Sequence, residues 1–248
     1  PIWRLLGDDP RYASHGRGVM LADPGSGTVA HQAALARLAG ASACGGVPAA
    51  DAAGRRRALE AEGLTTDAYV EWVGEASAFA AAEAADAERA LPPDLSLTEI
   101  DGRTPHATLE ALDALTAACG VLLPTGSFVR GLRRPAVCLL ARDAAGRAVG
   151  ASAAVMQFHP DHPLGRRAWW GMLATRESRR GEGVALGMGA LSMRAIRDRH
   201  GAESVFTGVR AGNAPSEALC RRLGLAPCGT EMVVSIDPES FGAGRVTT

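Results

Sequence analysis

Residues 180–185 read RGEGVA and lie between a predicted strand, residues 167–175, and a predicted helix, residues 184–199. Glycines at a strand-to-helix junction let backbone N–H groups converge, and the start of the helix adds partial positive charge. These features predict a binding site for an anion such as a pyrophosphate. The stretch is not a dinucleotide-binding fingerprint, because Leu186 occupies the last glycine position of that motif. A tight turn without a ligand would also explain these residues.

A second stretch, residues 213–225 with the sequence NAPSEALCRRLGL, begins 33 residues after Arg180 (213 − 180). That interval has room for one helix and one strand. Asn213 is a good helix N-cap, Pro215 falls in the first turn, where proline is tolerated, and Gly224 ends the helix. Taken alone, the stretch predicts an ordinary capped helix.

In this order, the two stretches resemble motifs of the GNAT (general N-acetyltransferase) family. The family motifs are R/Q-x-x-G-x-G/A at the start of the central helix and N-x-x-A/S-x-x-L-Y-x-x-x-G-F further on. Residues 174–181, ATRESRRG, also look like the strand end that leads into the first motif. The resemblance covers residues 94–238, and the order of the predicted elements matches the family throughout. It implies an α/β fold of the α+β mixed-sheet kind, with a splayed central sheet flanked by helices.

The resemblance also implies acetyl-CoA as cosubstrate and direct attack of an acceptor amine on the thioester, without an acyl-enzyme. By analogy, strand backbone groups pair with the pantetheine arm, and amides at the helix start hold the pyrophosphate. A backbone N–H near Leu173 would stabilise the oxyanion, an effect of roughly 3 kcal/mol. The implied cofactor-binding residues are Leu173, Ala174, Thr175, Arg180, Gly181, Glu182, Gly183, Val184, Ala185, Asn213 and Ser216.

The chain departs from the family pattern at the tyrosine that commonly protonates the departing thiolate, because Cys220 holds that position. A thiol with an ordinary pKa near about 8.5 could donate this proton. Equally, Cys220 could be a small buried residue, with water as the donor. A third option, Cys220 as an acyl-carrying nucleophile, lacks a paired base nearby in the sequence.

The sequence does not identify a general base. Residues 168–175 of the predicted strand include no carboxylate, although family members often have a glutamate there. His159, Asp161 and His162 form a titratable cluster in a loop beside the expected site. This cluster could be a base, a metal site or a plain loop, and we expect no metal.

Two features bear on the acceptor. Trp169 and Trp170 alternate across the sheet, so one belongs to the core and the other could line the acceptor pocket. Residues 118–134 correspond to the family's acceptor loop. Its arginines could contact an acidic acceptor or a CoA phosphate, or be surface charge; they are Arg130, Arg133 and Arg134. The expected acceptor is a small-molecule or peptide amine.

Composition excludes several classes of function. The chain has 248 residues, 26 basic and 27 acidic, and every basic residue is arginine. Without lysine there is no Gly-Lys-Ser/Thr phosphate loop and no lysine Schiff base. The balanced charge gives no reason to expect nucleic-acid or membrane-surface binding, and no apolar run approaches the ~20 residues of a membrane span. Five cysteines without C-x-x-C spacing argue against a disulfide framework or a structural zinc site.

We therefore expect a cytoplasmic bacterial protein with three regions. Residues 1–93 are predicted to be mainly helical, residues 94–238 form the GNAT domain, and residues 239–248 are a C-terminal tail. The first region could shape the acceptor site, mediate homodimerisation or be a degenerate second acyltransferase-like domain.

Within the first region, helices are predicted over residues 29–39, 49–62 and 66–90. The arginine run at residues 55–57 is interpreted as a solvated face. Residues 25–28, GSGT, lack the phosphate-loop lysine and are interpreted as a turn. We find no internal sequence repeat.

Two alternatives to the acetyltransferase come from the departures above. The first is a catalytically silent acyl-CoA-binding module that acts as a sensor or scaffold. The second is an acyltransferase with a different acyl donor or a hydroxyl acceptor.

Overall fold

The structure is a computed structural model that describes residues 2–25, 27–88 and 91–241. Its helices are α1 Trp3–Leu6, α2 Thr28–Ala39, α3 Ala49–Ala61, α4 Ala76–Glu88, α5 His106–Ala118, α6 Gly126–Val129, α7 Val184–His200, α8 Ala214–Arg222 and α9 Pro238–Phe241. Its strands are β1 Tyr12–Ala13, β2 Val19–Leu21, β3 Ala41–Pro48, β4 Thr65–Gly74, β5 Ser96–Glu99, β6 Ala136–Arg142, β7 Ala148–Val155, β8 Arg167–Thr175, β9 Ser204–Val209 and β10 Ala226–Ile236. A 3₁₀ turn, Glu177–Arg179, precedes α7.

The ten strands form one mixed sheet in the order β1-β2-β3-β10-β4-β9-β8-β7-β6-β5. Two neighbouring pairs are parallel, β2 with β3 and β8 with β9, and the other pairs are antiparallel. A parallel pair needs a crossover, which α2 and α7 supply. The mixed sheet with flanking helices confirms the predicted fold class.

The sheet contains a topological repeat, although the sequence shows no internal repeat. The elements β2-α2-β3-α3-β4 follow the same order as β8-α7-β9-α8-β10, and each unit begins with a parallel pair. We name these units the N-terminal half and the C-terminal half. Their last strands are exchanged, because β4 lies between β9 and β10 while β10 lies between β3 and β4. Each half is therefore completed by a strand of the other.

The hydrophobic cores follow this exchange. The core under α2 and α3 includes Leu59 from the N-terminal half and Val233 from β10, both fully buried. The core under α4 and α7 includes Trp72 from β4 beside Leu223 and Met193 of the C-terminal half. Burial of these apolar side chains couples the two halves energetically.

The structure corrects two predictions in the first 93 residues. The helix predicted over residues 66–90 is wrong at its start, since β4 runs to Gly74 and only α4 is helical. Arg55 is buried rather than part of a solvated face. Helices α2 and α3 were predicted correctly, but four strands also lie in this region. The region predicted as a mainly helical extension therefore contributes to the central sheet.

From residue 94 onward the predicted elements agree closely with the structure. Strand β8 has the predicted bounds, residues 167–175, and α7 begins at the predicted Val184. A turn that contains Gly146 joins β6 to β7, and the φ of Gly146, +77°, is one that glycine adopts readily. Of the predicted tail, residues 242–248 lie outside the described residues. Within the ranges given above, no helix has both the length and the apolar character that a membrane crossing requires.

Candidate active site

The parallel strands β8 and β9 pair along only part of their length. Arg167 to Trp169 pair with Ser204 to Phe206, and no pairing follows beyond these residues. The remaining residues of β9, from Thr207 to Val209, pair with β4 on the other side. The carboxyl ends of β8 and β9 therefore border an open slot within the sheet.

A β-bulge in β8 faces this region. Ala151 pairs with Ala174 and Ala153 with Gly171, so Met172 and Leu173 together oppose one residue of β7. Met172 has a φ of +56°, and it is the only non-glycine residue in the left-handed region among those described. Such a conformation is strained by about 1–2 kcal/mol for a side chain of this size. The bulge removes the backbone of Leu173, the predicted oxyanion donor, from the ladder with β7.

The predicted anion site at the start of α7 has the expected backbone. Gly181 and Gly183 both adopt left-handed conformations, with φ of +81° and +85°. No side chain caps the helix, and within the described ranges the backbone N–H groups of residues 181–186 have no hydrogen-bond acceptor. The helix start adds its partial positive charge. This end of the slot thus offers a series of free donors.

An arginine holds this loop in place. The Nη atoms of Arg179 donate to both carboxylate oxygens of Asp94 at 2.8 and 3.0 Å, and its Nε donates to Oε2 of Glu182 at 2.7 Å. The guanidinium hydrogen bonds lower the pKa of Asp94. Because Glu182 is bound to Arg179, its negative charge is balanced beside the anion site.

The third part of the site is α8. Oδ1 of Asn213 accepts a hydrogen bond of 3.2 Å from the backbone N–H of Ser216, which confirms the predicted N-cap. Further along α8, Cys220 is buried, and burial raises the pKa of its thiol to about 12. The thiol is therefore protonated throughout the neutral pH range.

The slot opens into a cavity of about 520 Å³. Seven of the residues predicted from the sequence line it: Leu173, Thr175, Arg180, Ala185, Asn213, Ser216 and Cys220. Five others lie outside its lining: Ala174, Gly181, Glu182, Gly183 and Val184. Ala174 and Val184 are buried in the two cores, and the other three belong to the loop before α7.

The far end of the cavity, which we name the acceptor chamber, is built largely by residues that the sequence analysis missed. His15 and Arg17 come from the loop between β1 and β2, Tyr69 from β4, and Met232 and Val234 from β10. Cys119 to Val121, at the start of the predicted acceptor loop, also line the cavity.

One face of the chamber is aromatic. The ring of His15 stacks on Trp169 with 4.3 Å between ring centroids and 15° between planes. Its Nδ1 lies 3.0 Å from Oε1 of Gln157 and donates to it in the matching tautomer. Burial lowers the pKa of His15 to about 3, with a further contribution from the charge of Arg17. His15 is therefore neutral at physiological pH.

The two tryptophans lie on opposite faces of the sheet, as predicted. Trp169 belongs to the core beside the chamber, and Trp170 belongs to the core under α7. The indole N–H of Trp170 donates to the carbonyl oxygen of Gly189 at 3.1 Å. Both side chains contribute to the cavity wall.

The histidine cluster in the loop after β7 does not line the cavity. Nε2 of His162 lies 3.3 Å from Oδ2 of Asp23, and Nδ1 of His159 lies 3.7 Å from Oδ2 of Asp161. Across the described part of the chain, no group of three or more histidine, cysteine or acidic side chains is placed to hold a metal. The cluster therefore belongs to the loop structure rather than to the cavity.

The arginines of the acceptor loop also lie away from the cavity. Arg130 donates to the backbone carbonyls of Asp101 and Gly102, and the guanidinium of Arg134 lies 5.3 Å from the ring of Trp3. Arg133 is exposed.

Comparisons with known proteins bear on the fold. No family model and no curated protein matches the chain. A GCN5-related N-acetyltransferase from Kribbella flavida aligns with a TM-score of 0.54 and 16% identity, covering 80% of this chain and 68% of that one. A tandem GNAT protein from the clavulanic acid biosynthesis pathway aligns with a TM-score of 0.54 and 19% identity, covering 84% and 67%. A GCN5-related N-acetyltransferase-like protein from Streptococcus suis 89/1591 aligns with a TM-score of 0.55 and 12% identity, covering 91% of this chain and 82% of that one. The chain therefore has the GNAT fold, which confirms the predicted resemblance at the level of the fold.

Proposed function

We propose that this protein is an acetyl-CoA-dependent N-acetyltransferase, in which an acceptor amine attacks the thioester directly. The observation that carries the proposal is the slot between β8 and β9, with free backbone donors at one end and the bulge at Leu173 along its edge. The GNAT fold supports an acyltransferase, and the slot geometry supports CoA as the carrier of the acyl group.

The residues around the slot fit the parts of a CoA molecule. The free N–H groups of residues 181–186 and the positive end of α7 suit the pyrophosphate. Along β8, the edge that faces the slot is unpaired beyond Trp169 and can pair with the amides of the pantetheine arm. The hydroxyl of Thr175 is buried without a hydrogen-bond partner among the described residues, and it lines the cavity. Acetyl-CoA would supply the activated acetyl group.

The chain's own contribution to the reaction is electrostatic and positional. The backbone N–H of Leu173 would stabilise the negative charge that develops on the carbonyl oxygen, an effect of roughly 3 kcal/mol. Among the described lining residues there is no aspartate or glutamate, and a His15 with a pKa of about 3 is a weak base. We infer that the acceptor binds as the neutral amine and that water removes the excess proton.

Calorimetric titration of the purified protein with acetyl-CoA, and separately with CoA, tests the cofactor assignment. We expect dissociation constants in the micromolar range for both. If neither ligand binds, the slot does not hold CoA and the proposal fails.

A second candidate function is a catalytically silent acyl-CoA-binding module. It is favoured by Cys220, whose raised pKa makes the thiol a poor match for a CoA thiolate, and by the absence of carboxylates among the described lining residues. Release of free CoA in the presence of an amine panel would support the enzyme, whereas tight binding without release would support the module. Parallel assays with propionyl-CoA and succinyl-CoA would reveal a different acyl donor, and hydroxyl acceptors would test the remaining alternative.

Location and assembly belong to the same proposal. The five cysteines are free thiols, which suits the reducing cytoplasm that we propose as the location. A homodimer stays a prediction.

A further inference from the structure

The described residues that line the cavity include arginines but no acidic side chain. Among the described residues that line the cavity, the charged side chains are Arg17, Arg180 and Arg210, and none is aspartate or glutamate. The field inside the cavity therefore favours an anionic ligand.

Two of these arginines have evident roles. Arg180 directly precedes the loop at the start of α7, at the end of the slot that suits a pyrophosphate. Arg210 forms an ion pair with Asp67 and contacts the hydroxyl of Tyr69 at 3.3 Å. Neither arginine is therefore available to bind an anionic group in the acceptor chamber.

Arg17 is different. It forms no ion pair or side-chain hydrogen bond with any described residue, and its Nε is buried without a partner. Its Cζ lies 5.2 Å from the centre of the Trp169 ring, so the guanidinium sits against the aromatic face of the chamber. The cation–π contact provides only partial compensation for the lost hydration.

The electrostatics of Arg17 agree with this picture. Burial lowers its pKa to about 10, which still leaves the guanidinium charged at neutral pH. Arg17 is partly exposed, but its Nε is buried without a partner among the described residues, which is unfavourable for a charged group, and an anion that forms charge-assisted hydrogen bonds with the guanidinium recovers that free energy. The neighbouring His15 is neutral and does not repel or replace the charge.

We propose that the acceptor amine carries an anionic oxygen group, a carboxylate or a phosphate, that binds Arg17 in the acceptor chamber. This inference rests on the proposed function, since it names the class of the acceptor. The surrounding wall is largely apolar, with Met20, Met232 and Val234, so the acceptor has an apolar body between its amine and its anionic group. The binding charge comes from the loop between β1 and β2, which directly precedes the N-terminal half, while the slot belongs to the C-terminal half.

The first experiment measures binding of anionic fragments without any cofactor. Phenylacetate and its uncharged analogue phenylacetamide are compared by ligand-observed NMR, with inorganic phosphate as a competitor. We expect phenylacetate to bind at least about tenfold more tightly than phenylacetamide, as for a hydrogen-bonded charge. If inorganic phosphate displaces phenylacetate, the acceptor carries a phosphate group. If phosphate does not displace it, the acceptor carries a carboxylate.

Variants assign the effect to one residue. In Arg17→Met the preference for phenylacetate should disappear, while Arg17→Lys should keep part of it. Arg57→Met, at an exposed arginine on α3, is the matched control and should behave as the unmodified chain. Equal affinity for the two fragments, binding of neither, or an undiminished preference in Arg17→Met would overturn the inference.

The second experiment separates this inference from the proposed function. The kcat/KM for L-phenylalanine and for L-phenylalaninamide is measured with acetyl-CoA, alongside the Kd for CoA in each variant. We expect Arg17→Met to lower kcat/KM for the acid by about 10- to 100-fold and to change the amide and CoA binding by less than about threefold. If the unmodified chain does not bind CoA, the proposed function is rejected, whereas the fragment titration still decides the role of Arg17. If Arg17→Met lowers kcat/KM equally for the acid and the amide, the inference about the anionic acceptor is overturned.

Discussion

The two halves of the molecule have the same order of elements but differ where their parallel strands meet. In the C-terminal half the pairing of β8 and β9 ends at Trp169, six residues before the end of β8. In the N-terminal half β2 is paired with β3 along its whole length, from Val19 to Leu21. The strands β8 and β9 therefore separate before they end, which leaves a slot within the sheet, whereas no described residue of β2 extends beyond its pairing with β3. The two halves therefore share a topology, but among the described residues the slot is found in the C-terminal half and not in the N-terminal half.

The helices that follow show the same contrast. Arg55, the seventh residue of α3, donates to Oε1 of Gln32 at 2.8 Å and to Oγ1 of Thr28, in the first turn of α2, at 3.0 Å. The seventh residue of α8 is Cys220, which leaves space and lines the cavity. In the N-terminal half the buried side chain of Arg55 thus binds the start of α2. In the C-terminal half no described side chain of α8 takes this place at the start of α7. This contrast supports the proposal that the cofactor binds in the C-terminal half.

The largest expected effect tests whether the halves fold as one unit. Leu59→Ala and Leu223→Ala each remove a fully buried side chain, one from each half. Each should lower the free energy of unfolding by about 2–5 kcal/mol. Because β4 and β10 are exchanged, both variants should show one shifted thermal transition by calorimetry. Two separate transitions, of which each variant shifts only one, would show that the halves are independent.

The next effect tests which helix start binds the cofactor. Gly183 and Gly27 both precede the first residue of a helix in left-handed conformations, with φ of +85° and +79°. Gly183→Asp should weaken CoA binding by at least about 100-fold, because it places a negative charge beside the pyrophosphate. Gly27→Asp, with the same backbone strain, should change the Kd by less than about threefold. A similar loss in both variants would remove the distinction between the halves.

A smaller effect concerns acid stability and the chamber. His15 has a pKa near 6.5 when unfolded and about 3 when folded, so below pH 6.5 the unfolded state binds the extra proton. Its contribution to stability is complete above pH 6.5 and is lost as the pH falls toward 3. We expect a loss of about 2 kcal/mol from pH 7.5 to pH 5.

Urea unfolding at the two pH values measures this loss. His15→Gln should remove that part of the pH dependence, whereas His106→Gln, at an exposed histidine, should retain it. An unchanged pH dependence in His15→Gln would mean that His15 is not buried in its neutral form.

The smallest effect is expected at Cys220. Since burial raises the pKa of its thiol to about 12, proton donation from it contributes little at neutral pH. Cys220→Ala should change kcat by less than about threefold between pH 7 and 9, as should Cys228→Ala at an exposed cysteine. A drop of tenfold or more in Cys220→Ala alone would identify the thiol as the general acid.

The elements from residue 94 onward, including the C-terminal half, were predictable from local signals. Glycines mark the turn before β7 and the start of α7, and Asn213 caps α8 through its own side chain. Such signals act over a few residues, so they can be read without knowledge of the fold. The bulge at Met172 is different, because it depends on the register between β7 and β8.

The N-terminal half was harder to predict because its pattern is ambiguous. Tyr69, Val73, Ala76 and Ala80 recur at helical spacing, although Gly74 separates a strand from a helix within that run. Threonine, valine and aromatic residues in β4 favour a strand, and its pairing with β9 and β10 joins positions more than 130 residues apart. No local pattern contains that information.

The acceptor chamber was missed for a related reason. Residues 15–18 read HGRG, a signal for a loop, and only the fold brings this loop against Trp169. At Gly16, with a φ of +100°, a Cβ would lie 2.8 Å from Cβ of Phe128, so the loop packs closely at that point. An isolated arginine between two glycines carries no sign that its guanidinium packs against a tryptophan inside a cavity.

The stoichiometry of CoA binding tests the central claim most directly. Calorimetric titration of the unmodified chain should give one CoA per chain, because of the two parallel pairs among the described strands, only β8 and β9 separate before they end. Two CoA molecules per chain would mean that the N-terminal half also holds the cofactor. No binding would mean that the slot in the C-terminal half has another purpose, and either result would contradict the account.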